Sequence, residues 1–384
     1  MISVTSDVRY IGVYDADLDL FESQYPVPEG ITYNSYLILD EKVAILDTVD
    51  ARKTGDFLAN LEAALEGRTP DYLIVNHMEP DHSTSIDAVC AKYPNVQIVT
   101  TAKAAAMLPY FFETDLSARV TTVKEGDVLS LGAHELTFVM APMVHWPECM
   151  VTFDKTDKLL FSADAFGTFG TFERDEDWAC EARRYYFNIV GKYGAPVQAL
   201  LKKAAALDIA AICPLHGPVL NENLGYYLGL YQTWSSYAPE TEGVFIAHAS
   251  IHGHTKAAAE EMAEILRARG VKVAIADLCR ADMSECIEDA FKYGKIVLAA
   301  STYDGGVMFP MSDFLHHLAH KAYQNRKVAL IENGCWAPAA AKSMRALLDG
   351  MKGMTVCDTT VSLRGRCTAE NRAQLETLAD EILG

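Results

Sequence analysis

The chain has 384 residues, half of them hydrophobic, which suffices for two to three domains with cores of their own and excludes a mini-protein or a disulfide-stapled scaffold. Lys and Arg number 33 against 52 Asp and Glu, and the formal charge of -19 repels phosphate backbones and anionic lipid, so no nucleic-acid or membrane partner is expected. Nine cysteines without a C-x-x-C pair, and an N-terminus without a basic region leading into an apolar stretch, predict a cytoplasmic chain with reduced thiols.

In chain order, strand-like apolar runs lie at 33–39, 43–47, 72–76, 96–100, 136–140 and 159–162, with helical patterns at 51–65 and 86–92. A mostly helical stretch from 181 to 207 and one more strand at 209–213 follow, predicting a layered α/β domain. The polar, turn-rich stretch SSYAPETEG at 235–243 marks a boundary, giving domains 1–242 and 243–384. Charge divides unevenly, with 17 basic and 35 acidic residues before the boundary and 16 and 17 after it. Beyond Gly243 the rhythm becomes regular: strands at 244–248, 271–276, 296–300, 327–331 and 354–357, and helices at 255–269, 311–322, 338–348 and 369–383. Five strands in this length fit a flavodoxin-like, doubly wound parallel sheet of order 2-1-3-4-5.

Chemistry concentrates after the strand at 72–76. His77, Glu79, Asp81 and His82 place four potential metal ligands within six positions, and Pro80 predicts a loop there rather than a helix. Burying two carboxylates beside two imidazoles without a cation would be costly. His145, Asp164 and His216 each lie just beyond a further strand, so all seven can converge on one rim. His134, His248, His316, His317 and His320 have no such context and are expected to be structural.

This spacing resembles the metallo-β-lactamase superfamily, whose zinc hydrolases carry H-x-H-x-D-H, with Glu79 standing in place of their second His. Together with the flavodoxin-like half, the chain resembles the flavodiiron proteins, whose H-x-E-x-D-H motif is matched by His77, Glu79, Asp81 and His82. The resemblance implies a metallo-β-lactamase-like αβ/βα sandwich holding two iron ions. His77, Glu79 and His145 would bind one, Asp81, His82 and His216 the other, and Asp164 would bridge them. Three carboxylates and a hydroxide would balance two ferrous ions, allowing a reduced site to be buried nearly neutral.

In the second domain Ser250, Ile251, His252, Gly253, His254 and Thr255 form a hydroxyl-rich turn opening a helix, a cradle for phosphate at the positive end of the helix dipole. It is not G-x-G-x-x-G, so a nicotinamide dinucleotide is not indicated. Ser301, Thr302, Tyr303, Asp304, Gly305 and Gly306 follow the third strand, and Asn333, Gly334, Cys335 and Trp336 the fourth. The resemblance implies that these loops hold FMN, with Tyr303 and Trp336 stacking on its ring.

The implied activity is an oxidoreductase that reduces dioxygen to water, nitric oxide to nitrous oxide, or both. Its external electron donor would be rubredoxin or, alternatively, a reduced deazaflavin coenzyme. The resemblance also implies a head-to-tail homodimer, two of which can pair as a homotetramer. Two other readings stay open: a zinc-dependent hydrolase with a fused flavodoxin-like domain, against which Glu79 argues, and a non-catalytic electron carrier or redox sensor.

Overall fold

The apolar runs of the first half build two sheets whose inner faces share one core. The computed structural model describes residues 2–172 and 177–384. A seven-stranded sheet has the order Ile2–Ser3, Val8–Tyr10, Tyr36–Leu39, Val43–Leu46, Tyr72–Ile74, Gln97–Thr101 and Val120–Val123. A five-stranded sheet runs Val128–Ser130, Glu135–Met140, Met150–Asp154, Leu159–Phe161 and Ala211–Cys213. Alternation decides what faces inward: Tyr36, Ile38, Ala44, Leu46, Ile74 and Val99 of the first sheet pack with Leu136, Phe138, Met150, Leu159 and Phe161 of the second. The expected sandwich is present.

Direction matters for the site. Glu135–Met140 and Leu159–Phe161 both run antiparallel to Met150–Asp154, and Ala211–Cys213 runs parallel to Leu159–Phe161. Three strands therefore end on the same rim, and each leads into a loop that carries one of the expected ligands.

Residues up to Gln232 form one compact unit and those from Thr233 another, a division ten residues before Gly243. The second unit carries a parallel sheet in the order Val273–Asp277, Thr241–Ala249, Tyr293–Tyr303, Lys327–Asn333, Thr355–Leu363. Numbered along the chain this is 2-1-3-4-5, as the sequence predicts. Ala258, Ala259, Met262, Ala263 and Leu266 recur at helical spacing on His254–Ala268 and pack against Val244, Ile246, Val297 and Ala299 of the sheet.

Several local expectations are corrected. Pro80 does not prevent a helix: Pro80–Ser83 is a short helix with Pro at its first turn, where the missing N–H would lack a helical partner anyway. The run 33–39 is two strands, Ile31–Tyr33 and Tyr36–Leu39, in different sheets. The helices Ala102–Phe111 and Met283–Lys292 and the strand Met150–Asp154 are additional. The fifth strand of the parallel sheet extends through Thr355–Leu363, well past Cys357. Among the described residues no helix is long and apolar enough to cross a membrane.

Candidate functional site

The seven side chains named from the sequence come together in the first unit as two facing groups. His77, Glu79, His145 and Asp164 form one, and Asp81, His82 and His216 form the other. In the first, Glu79 Oε2 is 3.2 Å from His77 Nε2 and 2.8 Å from His145 Nε2. Asp164 Oδ2 is 3.2 and 3.0 Å from the same two nitrogens. In the second, Asp81 Oδ2 is 3.2 Å from both His82 Nε2 and His216 Nε2, which face each other at 3.0 Å. The other oxygen of Asp164, Oδ1, lies 3.3 Å from His82 Nε2, so this carboxylate addresses both groups.

Each loop is held from behind. Asp47, itself at φ 55°, accepts hydrogen bonds from the backbone N–H of Asn76 and His77 and from Asn76 Nδ2, fixing the start of the 77–82 block. Thr48 Oγ1 donates to the carbonyl of His82 at 2.6 Å. The break between the strands Ile31–Tyr33 and Tyr36–Leu39 exists for the 214–217 loop: Asn34 Nδ2 donates to the carbonyls of Pro214 and Gly217, and Thr32 O accepts from His216 Nδ1 at 2.6 Å. Gly217, at φ 78°, leaves no room for a Cβ, which would sit 2.1 Å from Thr168 Oγ1. Asp164 is flanked by Ala163 at φ 50° and Phe166 at φ 68°, non-glycine residues in a left-handed conformation of the kind that clusters at functional sites.

The electrostatics ask for cations. Burial alone would lower every imidazole pKa, yet carboxylates outweigh it: His82 is pushed up to about 10 by Asp81 and Asp164, His145 to about 9 by Asp164 and Glu79, and His77 is raised well above its usual value. Burial would likewise raise the acids, but Asp81, Glu79 and Asp164 are all lowered by the imidazoles around them. Among the described residues Asp81 Oδ1 and Oδ2 and Asp164 Oδ1 are buried without a hydrogen bond, the imidazole nitrogens at 3.2 and 3.3 Å from Asp81 Oδ2 and Asp164 Oδ1 lying within ion-pair reach only. Four imidazoles and three carboxylates converging with orphaned oxygens form a donor set that fits two divalent metal ions of N/O preference.

Aromatic rings close around this cluster. Phe21, Tyr33 and Tyr185 lie 5.4, 6.1 and 5.5 Å from the His216 ring, and Trp146 lies 5.4 Å from that of His77. Phe169 backs Phe21 and Tyr185, whereas Phe166 stacks on Tyr231. Among the described residues the Tyr185 hydroxyl is buried with no hydrogen-bond partner. Burial, together with the charges of Asp164, Asp81 and Glu79, holds it protonated far above the usual phenol range.

Sequence reasoning passed over Tyr185, Phe21, Asp47 and Glu148. The last is buried, and its Oε1 lies 2.8 Å from His77 Nδ1 and accepts from the backbone N–H of Met78 at 2.9 Å. A lone acid or aromatic has no spacing signal. His134, expected to be merely structural, is buried with its Nδ1 2.9 Å from Asp154 Oδ2, at the opposite end of the strand Glu135–Met140 from His145.

In the second unit the three expected loops lie at the C-terminal rim of the parallel sheet. Ser250, Ile251, His252 and Gly253 form the turn and His254 and Thr255 begin the helix, with Gly253 at φ 89° as its N-cap. Ser250 Oγ accepts from the Gly253 N–H at 3.1 Å, and Thr255 Oγ1 meets Ser301 Oγ at 2.9 Å, tying this turn to the third strand. Ser301, Thr302 and Tyr303 are the end of that strand, and the turn proper is Asp304 and Gly305 before Gly306–Val307 folds back. Thr302 Oγ1 accepts from the N–H groups of Ala339 and Ala340, at the start of the helix Ala340–Leu348. Asn333 exchanges two hydrogen bonds with Gly365, so a fourth loop, beyond the fifth strand, joins the rim. Gly334 packs against Pro338, Cys335 is exposed, and Tyr303 and Trp336 are 44 and 87 % exposed.

Comparison with known proteins agrees with both halves. Residues 31–217 match the profile of the ODP family beta lactamase, and residues 245–367 that of a flavodoxin domain. The anaerobic nitric oxide reductase flavorubredoxin of Vibrio vulnificus is 28 % identical over 389 residues, covering 98 % of this chain and 77 % of that protein. A putative diflavin flavoprotein of Synechocystis is 32 % identical over 290 residues, covering 73 % of this chain and 50 % of that one. Among solved structures, rubredoxin oxygen:oxidoreductase from Desulfovibrio gigas superposes with a TM-score of 0.91 at 26 % identity, covering 99 % of this chain and 97 % of the other. The flavodiiron protein from Giardia intestinalis shares the fold, with a TM-score of 0.90 at 22 % identity, covering 98 % of this chain and 95 % of that one. The chain is thus an oxidoreductase and belongs to the flavodiiron protein family.

Proposed function

We propose that this chain reduces dioxygen to water, nitric oxide to nitrous oxide, or both, at a diiron centre supplied with electrons through FMN. The observation that carries the reading is Asp164, whose two oxygens face two separate groups of imidazole and carboxylate donors. In this reading His77, Glu79 and His145 hold one iron, Asp81, His82 and His216 the other, and Asp164 spans them. The two ferrous ions supply two electrons and reduced FMN two more, which suffices for the four-electron reduction of dioxygen. The protein's part is to keep the chemistry dry and directed. Phe21, Tyr33, Tyr185 and Trp146 exclude water, and Tyr185 holds its proton at Oη as a hydrogen-bond donor for a small polar ligand.

The flavin is assigned to residues 243–384 and the irons to residues 1–242. Backbone amides and hydroxyls of Ser250, Ile251, His252, Gly253, His254 and Thr255 would receive the FMN phosphate. Ser301, Thr302, Tyr303, Asp304, Gly305, Gly306, Asn333, Gly334, Cys335 and Trp336 would line the ring, with Tyr303 and Trp336 offering exposed aromatic faces. The proposed donor is a rubredoxin, and the assembly a head-to-tail homodimer in which the flavin of one chain serves the irons of the other. We assign the chain to the cytoplasm, where buried thiols such as those of Cys90, Cys149 and Cys213 stay reduced.

The test is metal and flavin content, followed by anaerobic reduction and rapid mixing with each gas. Two irons and one FMN per chain with turnover of either gas support the reading. Zinc without flavin, or flavin and iron without gas consumption, overturns it.

A further inference from the structure

The outer contacts of the two metal positions are not alike. His216 Nδ1 donates to a neutral backbone carbonyl, that of Thr32, at 2.6 Å. Among the described residues His82 Nδ1 is buried with no hydrogen-bond partner. His77 Nδ1 instead faces a carboxylate, Glu148 Oε1, at 2.8 Å, and both side chains are fully buried. Glu148 Oε1 is pinned by the Met78 N–H, while its Oε2 is buried and, among the described residues, has no hydrogen-bond partner, so no other charged side chain is paired with it there.

That geometry has an electronic consequence. Of the two groups at His77 Nδ1, Glu148 Oε1 at 2.8 Å and the Cys149 thiol sulfur at 3.2 Å, the carboxylate is the closer and the stronger acceptor, which favours the tautomer with its proton on Nδ1 and leaves the Nε2 lone pair toward Glu79 and Asp164. A carboxylate accepting the outer N–H of an imidazole draws that proton away and makes the ligating nitrogen more basic. In a dry pocket the effect is not screened.

We propose that Glu148 is a positioning residue that makes the two metal positions inequivalent, by turning His77 into a more strongly donating ligand than His216 or His82 and so favouring the ferric state of the metal His77 holds. The iron that His77, Glu79 and His145 would hold would then have the lower of the two one-electron potentials, so it would be the first to pass an electron to an added oxidant and the last to be reduced by dithionite.

The inference rests on the diiron reading, and the experiment keeps the two apart. Wild-type protein loaded with the iron-57 isotope is titrated from the diferric to the diferrous state with dithionite and mediators, and Mössbauer spectra are recorded at each stage. In Glu148→Gln, which keeps a hydrogen-bond acceptor and removes the charge, the lower of the two one-electron potentials is expected to rise while the upper one holds, and only one iron's signal should move. Glu148→Asp, which keeps the charge on a shorter arm, should give a smaller shift. Loss of a single iron from the Gln variant would also support the proposal, since one position alone has been weakened. Both potentials unmoved, both iron signals moving together, both irons lost together, or Asp shifting as far as Gln would each overturn it. Wild-type protein without two irons would instead sink the diiron reading itself.

Discussion

The metal cluster and the proposed flavin rim are built on opposite plans. Seven ligand-type side chains drawn from residues 77 to 216, six buried and Glu79 partly so, are aimed at one another and held from behind by Asp47, Thr48, Thr32, Asn34 and Glu148. The rim of the parallel sheet is assembled from neighbouring strand ends, its polar groups tie loop to loop, and its largest aromatics, Tyr303 and Trp336, stand in the open. The first arrangement fixes charge in a dry place; the second offers backbone amides and flat apolar faces to something that covers them. Removing one group should therefore be severe in the first unit and graded in the second.

The largest effect belongs to Asp164, because both halves of the cluster use it. Asp164→Ala should lower iron affinity by roughly 100-fold or more, above the range seen for outer-layer changes, and His216→Ala should follow, while flavin binding stays intact. Iron analysis beside flavin absorbance reads this directly. Full iron occupancy in Asp164→Ala would mean that the two donor groups bind independently.

A graded effect is expected at the turn. Ser250→Asp places a negative charge where the phosphate is assigned, and like charges a few ångströms apart at a protein surface cost about 1 to 4 kcal/mol. FMN affinity should fall at least about 5-fold, with iron unchanged, as followed by fluorescence titration of the flavin. An affinity equal to wild type would move the phosphate elsewhere.

The two plans also bear on assembly. Chains carrying His216→Ala keep a flavin rim, and chains carrying Ser250→Asp, stripped of flavin by dialysis, keep a metal cluster. In a head-to-tail pair each supplies what the other lacks, so purified mixed dimers should recover up to about half of wild-type turnover, one of two isologous sites being complete. Mixed dimers holding both cofactors yet inert with a reduced donor would favour transfer within one chain.

How much of this was legible differs between the units for the same physical reason. The 77–82 block announces itself because four charged or ligating groups within six positions have no inexpensive structural use, and His145, Asp164 and His216 follow from the habit of placing chemistry at strand ends. Pro80 misled because proline forbids a helix interior but suits a first turn. Asn34 was hidden inside what looked like one strand at 33–39 and Thr32 lay just before it, since their task is to grip a loop about 180 residues away. Glu148 and Tyr185 resemble any acid or aromatic until the fold buries them. In the second unit the β-α rhythm exposed the strand order outright, whereas the participation of Gly365 depends on a contact across 32 residues that no local pattern reports.

The smallest expected effect tests whether histidine context follows from place in the fold. His134 and His145 flank the strand Glu135–Met140, one at each end of the sandwich, and both are raised above the usual imidazole value. At His145 the raising groups belong to the metal cluster. At His134 they are chiefly the hydrogen bond to Asp154, with burial opposing and the charges of Asp154, Asp157 and Asp40 assisting. Because the folded pKa of His134 lies above its unfolded value near 6.5, its extra stabilisation is complete below about pH 6.5 and is lost as pH rises through the folded value. A charge-assisted hydrogen bond contributes about 1.5 to 3 kcal/mol and a neutral one about 1. His134→Gln should thus cost most near pH 6 and about 1 kcal/mol less by pH 9, as measured by urea unfolding of both proteins across that range, with iron and flavin content unaltered. A penalty that stays flat or grows with pH would mean that His134 is neutral in the folded chain, and that its pairing with Asp154 is an ordinary hydrogen bond rather than an ion pair closing the far end of the sandwich.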